Sequence, residues 1–148
     1  MPMASDPFVG TWKLNRDRSE FSPHHHPKEG TMSLTLSAEG QYLMRAEGLN
    51  EKGERVYERP QRMIPDGQPH PVPDFPGLTA VCVRPDARTL RAEVRREDGS
   101  IAGQGVFELS PDGLSLTATN SGFDTQLREF RQRTHWERSR ALHVFGSV

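Results

Sequence analysis

At 148 residues the chain has the length of one domain, and a domain of that size buries roughly 68–70% of the surface its unfolded chain exposes. Nineteen Lys and Arg stand against twenty Asp and Glu, for a formal net charge of -1, so no field of one sign exists to hold nucleic acid or an anionic membrane. The single cysteine, Cys82, excludes an intramolecular disulfide and a Cys-based zinc site.

Met1 to Asp6 carries neither a basic n-region nor an apolar h-region, and no later run approaches the roughly 18 apolar residues of a membrane helix. The expectation is a cytoplasmic protein with one domain over 1–148. Hydrophobic residues make up 33%, lean enough that they must be placed economically, as alternation along half-buried strands allows.

The first element is Phe8-Val9-Gly10-Thr11-Trp12-Lys13-Leu14. A glycine that admits a close neighbour, followed two residues later on the same face by an indole, reads as the plug of a small barrel's end. The alternative reading makes Trp12 a stacking platform at a cavity floor. Downstream the chain alternates by twos: Met32, Leu34 and Leu36, then Tyr42, Met44 and Ala46, then Leu90, Ala92 and Val94. Turn signals separate these runs, among them Ala38-Glu39-Gly40, Glu51-Lys52-Gly53, Asp98-Gly99 and Pro111-Asp112-Gly113.

The expected strands cover roughly 8–14, 31–37, 41–48, 55–63, 78–84, 89–96, 102–109, 114–120 and 126–137. Useful helical periodicity is absent. Nearest-neighbour hairpins favour an all-β, single antiparallel up-and-down barrel of about eight to ten strands over a sandwich.

Two connections exceed a hairpin turn. Arg16 to Gly30 contains His24-His25-His26 and would cross one end of the barrel. Ile64 to Gly77 holds five prolines in fourteen residues, a density that stiffens a loop into extended segments and suits it to shaping a mouth.

Gly10-Thr11-Trp12-Lys13-Leu14-Asn15, Ser19-x-Phe21, a proline-rich loop and a final Glu129-Phe130 with His135-Trp136-Glu137-Arg138 together resemble the lipocalin-like (calycin) β-barrels. More narrowly the chain is similar to small, mostly uncharacterised bacterial proteins that begin with GTWKLN and carry an Asp-Gly-x-x-x-Pro loop, here Asp66-Gly67-Gln68-Pro69-His70-Pro71. The resemblance implies a barrel closed at one end by Trp12, with Arg138, or else Arg133, stacked on the indole. No Arg-x-Tyr carboxylate clamp is recognisable.

Several constellations are candidates for chemistry. In His24-His25-His26 only His24 and His26 share a side of an extended segment, and without a third ligand in a known spacing no metal site is expected. His70, held between prolines and flanked by Asp66 and Asp74, could act as a general base or acid. Tyr57 and Arg59 would form an anion-accepting wall if they face inward, and an ordinary charged surface otherwise. His135 is expected to face water, and Cys82 to be a small buried apolar residue.

The leading expectation is binding of a small, partly apolar molecule inside the barrel, near Trp12, Tyr42, Met44, Tyr57, Arg59, Met63, His70, Phe75, Phe107, Leu116, Phe130 and Trp136. No cofactor is expected, and the protein would be a monomer or homodimer. A second possibility is an enzyme catalysing an isomerisation, cyclisation or hydrolysis through His70, Asp66, Tyr57 or Arg59. A third is an interaction module working through an exposed strand edge.

Overall fold

Eleven strands in one antiparallel sheet make up the regular structure in a computed structural model that describes residues 6–23, 26–58, 60–123 and 127–139. In chain order they are β1 (Gly10–Glu20), β2 (Glu29–Leu36), β3 (Tyr42–Leu49), β4 (Arg55–Tyr57), β5 (Gln61–Met63), β6 (His70–Pro71), β7 (Thr79–Asp86), β8 (Thr89–Arg95), β9 (Ile101–Leu109), β10 (Ser115–Phe123) and β11 (Glu129–Arg138). No helix interrupts them among the described residues.

The sheet order is β4-β3-β2-β1-β11-β10-β9-β8-β7-β6, with β5 also on β3. Because β1 pairs with β2 on one side and β11 on the other, the first and last strands lie together and the sheet curls into an up-and-down barrel. The curl stops short of closure. β4 and β5 end the sheet on one side and β6 on the other, and no ladder joins them across the resulting seam. Both edges are short and proline-bearing, which withholds the N–H groups another strand would need.

Proline also explains why nine expected strands became eleven. Over 55–63 the Glu58 N–H still donates to the Ala46 carbonyl at 2.8 Å. Pro60 has no N–H to continue the ladder, and pairing resumes only at Gln61 opposite Met44. The other addition, β6, lies inside the proline-rich connection and pairs His70 with Ala80 and Pro71 with Thr79.

β1 runs on to Glu20, well past the expected end at 14, through an irregular stretch between Asn15 and Glu20. Side chains supply what the ladder lacks there. Ser19 Oγ donates to the Asn15 carbonyl at 2.7 Å and accepts the His135 N–H at 2.8 Å, while the Arg18 N–H donates to Asn15 Oδ1. Hydroxyl-for-backbone substitution of this kind leaves no hydrophobic alternation to read.

The core is concentrated at one end. Trp12, Leu34, Tyr42, Leu90 and Leu116 come from five strands and are fully buried, with Phe8 packed in from the segment before β1. In register, Gly10 lies opposite Leu34, Trp12 opposite Met32 and Arg138, and Leu116 opposite Leu109 and Trp136. These pairs define the inner row of each strand.

Candidate functional site

The end that holds Trp12 is shut. Its indole N–H donates to the Phe8 carbonyl at 3.1 Å, and the Arg138 guanidinium lies over the ring, 4.2 Å from its centroid. The same guanidinium donates to the carbonyls of Gly113, Val9 and Pro7 at 2.9, 2.8 and 2.5 Å. Three main-chain acceptors and one aromatic face satisfy a cation that would otherwise be costly to withdraw from water. Gly10 makes room for it: its φ is +145°, and a Cβ there would come within 2.5 Å of an Arg138 Nη atom.

A polar clasp lies beside the plug. Tyr42 Oη donates to Asp6 Oδ2 at 2.5 Å, and Arg84 Nη1 donates to the same carboxylate at 2.6 Å and to Tyr42 Oη at 2.8 Å. Tyr42 is on β3 and Arg84 on β7, so the clasp ties the two sides of the seam at the shut end. Burial opposes ionisation of Asp6, but hydrogen bonds from Tyr42, the Phe8 N–H and Arg84, together with the Arg84 charge, hold its carboxyl below the ordinary value. Burial and the neighbouring Asp6 carboxylate push the Tyr42 phenol well above its ordinary range.

Toward the opposite end the inner rows change character. Continuing from the core, they carry Ala46 and Gly48 on β3, Val94 on β8, Gly103 on β9, Asn120 on β10, and Gln132 on β11. All are half-buried, whereas their counterparts near Trp12 are inaccessible. Small side chains and retained exposure mark the half of the barrel away from Trp12, where Leu14 and Trp136 lie within 3.3 Å of a Cβ built on Gly30. Two surface grooves of about 460 and 500 Å³ lie at this end. One runs between Pro76–Leu78 and Arg96–Asp98, the other beside Gly103, Gly122 and Phe130.

The anticipated site residues divide along the same line. Trp12, Tyr42, Met63, Phe107 and Leu116 are buried in the core. Met44 and Trp136 pack against that core while remaining half-buried, and Phe130 lines the second groove. Tyr57 and Phe75 are 64% and 45% exposed, on β4 and on the segment between β6 and β7. Val56, opposite Gly48, is 42% exposed. Arg59, His24 and His25 lie outside the described residues.

His70 is half-buried and its Nε2 meets both oxygens of Asp66, at 2.9 and 3.1 Å. The Gln68 N–H is the main influence holding the Asp66 carboxyl below its usual range, and His70 adds to it. Next to this pair the Gly67 N–H donates to the Cys82 carbonyl at 2.9 Å, seating the loop on β7. An imidazole fixed on a carboxylate can carry a proton. Cys82 itself is buried, and burial, aided by the Asp66 charge, raises its thiol to about 11. His135 does not face open water as expected: the irregular stretch of β1 pairs against it, leaving Nε2 buried without a hydrogen-bond partner.

Asp6, Arg84, Asn120 and Gln132 were not singled out by sequence reasoning. Their signal is a break in an inner row: Arg84 follows Ala80 and Cys82, Asn120 follows Leu116 and Ala118, and Gln132 precedes Thr134 and Trp136. A polar residue on the core face of a strand needs a partner. Arg84 finds one in Asp6.

Comparison with protein-family models and with curated proteins finds no match. Solved structures do match. The fluorescent protein UnaG, wild type, is similar over 89% of this chain and 97% of that chain, with 15% identity and a TM-score of 0.58. As-p18, an extracellular fatty acid binding protein, is similar over 93% of this chain and 100% of its own, at 14% identity and a TM-score of 0.50. A redesigned β-barrel aligns over 90% and 92%, at 10% identity and 0.51. The likeness carries the fold alone, an antiparallel up-and-down β-barrel like that of the fatty-acid-binding proteins.

Proposed function

We propose that the chain binds a small, partly apolar molecule in the open half of its barrel, entering by the seam between β4 and the Val72–Leu78 segment. The observation that carries this reading is the division of the interior. Side chains fill the barrel around Trp12, while Met44, Ala46, Val94 and Trp136 farther along keep partial exposure. A half-wet apolar lumen gains from displacing its water with an apolar ligand. Exposed Val56, Tyr57 and Phe75 border the seam at that end and supply apolar lips. As-p18 is named for fatty acid binding, which supports the general reading of a ligand-binding barrel.

Nile red, a neutral dye that brightens in apolar surroundings, tests the proposal. Its emission is expected to rise on addition to wild-type protein, and the rise is expected to disappear in Ala46→Phe, which fills the lumen. Absence of any enhancement, or equal enhancement in a folded Ala46→Phe variant, would count against a lumenal site. Among the described residues acid–base catalysis finds support in the His70–Asp66 contact, while Tyr57, its proposed helper, is mostly exposed.

A further inference from the structure

We infer that the lumen selects an uncharged, planar ligand that presents a hydrogen-bond donor and an acceptor side by side, as an amide, lactam or imide does. This rests on the lumenal site proposed above and specifies its ligand chemistry. Asn120 and Gln132 face each other across β10 and β11. A Cβ built on Gly105 would lie 2.6 Å from Asn120 Oδ1, so the Asn120 amide covers that glycine on the inner face. Both residues are half-buried, and among the described residues neither amide makes a side-chain hydrogen bond. Each primary amide offers two donors and an acceptor. Water reaches both half-buried amides in the free protein, and a ligand edge with complementary groups takes over those hydrogen bonds as it displaces that water.

The neighbouring side chains settle shape and charge. Trp136, two inner positions from Gln132 and one beyond Thr134 on the same strand, is held by its indole N–H on Thr134 Oγ1 at 2.9 Å, giving a fixed aromatic wall rather than a free hydrogen-bonding group. Among the described residues the regular inner rows carry two arginines, and both are committed at the shut end, Arg84 to Asp6 and Arg138 to three carbonyls and Trp12. His70 is paired with Asp66. A carboxylate entering that half would exchange water for neutral amides and, among the described residues of the regular inner rows, meet no uncommitted cation, which disfavours it against a neutral isostere.

Competition between 2-naphthamide and 2-naphthoate for bound Nile red at neutral pH tests the inference. The amide is expected to displace dye at a concentration at least about tenfold lower than the carboxylate. In an Asn120→Leu/Gln132→Leu variant that difference is expected to vanish while Nile red still binds. Equal or better competition by the carboxylate, no competition by either, or an unchanged preference in the double variant would overturn the inference and leave the lumenal site standing. Failure of Nile red to bind wild-type protein would remove both.

Discussion

Tyr42 and Arg84 meet across the one gap in the sheet, with Arg84 Nη1 donating to Tyr42 Oη at 2.8 Å while both hold Asp6 Oδ2. No backbone ladder joins β4 or β5 to β6, so a side-chain clasp does at the shut end what main-chain pairing does around the rest of the barrel. Phe8 reinforces it, lying edge-on to Tyr42 at 6.1 Å and under the Arg84 guanidinium at 5.5 Å. The seam is thereby fixed at the end where the core is full and left unpaired toward the other end.

The clasp gives stability two pH limits. Asp6 has a folded-state pKa below its unfolded value of about 3.9. Its contribution is therefore complete above that value and lost as pH falls through the folded one. Tyr42 is raised, so its contribution is complete below its unfolded pKa of about 10 and lost as pH climbs past it. In thermal melts the gap between wild type and Asp6→Asn is expected to close below about pH 4, and the gap to Tyr42→Phe, about 1–2 kcal/mol near neutrality, to close above about pH 10. Gaps that stay constant with pH would show that these groups titrate alike in the folded and unfolded chain.

Arg138 and Gly10 are expected to behave as one unit. Arg138→Lys keeps the charge but not the three-way fork, so it should cost about 2–3 kcal/mol in urea unfolding. Gly10→Ala should cost about as much, because its Cβ collides with the same guanidinium from a positive φ. The double variant should cost clearly less than the sum. Strict additivity would mean that the two residues do not share a contact.

Cys82 is predicted to be inert while the protein is folded. Its thiol is buried and raised to about 11, so a thiol-reactive chromogen at mildly alkaline pH should label it only as fast as the chain opens. Addition of urea to full unfolding should give one thiol per chain within the mixing time. Immediate stoichiometric labelling of native protein would contradict the seating of Gly67 on Cys82.

The barrel was legible in the chain because its evidence is local and periodic. Gly10, Trp12 and the alternation of Met32, Leu34 and Leu36 specify strand faces within a few residues, and the Trp12–Arg138 stack followed from the resemblance. Pro60 lies inside the span expected as one strand over 55–63, and its missing N–H is what divides that span into β4 and β5. The clasp was not legible, because Asp6, Tyr42 and Arg84 are far apart in sequence and their meeting depends on how the sheet curls. β1 beyond Asn15 was hidden for a different reason: Ser19 and Asn15 replace backbone partners and leave no apolar rhythm. The contrast between the two ends of the barrel is a property of rows assembled from several strands, and no single strand displays it.

Residue-resolved amide and indole chemical shifts, recorded before and after saturation with Nile red, test the two-ended barrel most directly. The account predicts changes at Gly48, Val94, Gly103, Asn120, Gln132 and the Trp136 indole, with the Trp12 indole and Leu116 unmoved. Changes centred on Trp12 and Leu116, or spread over outward-facing residues such as Arg91 and Glu108 with the inner rows silent, would contradict it.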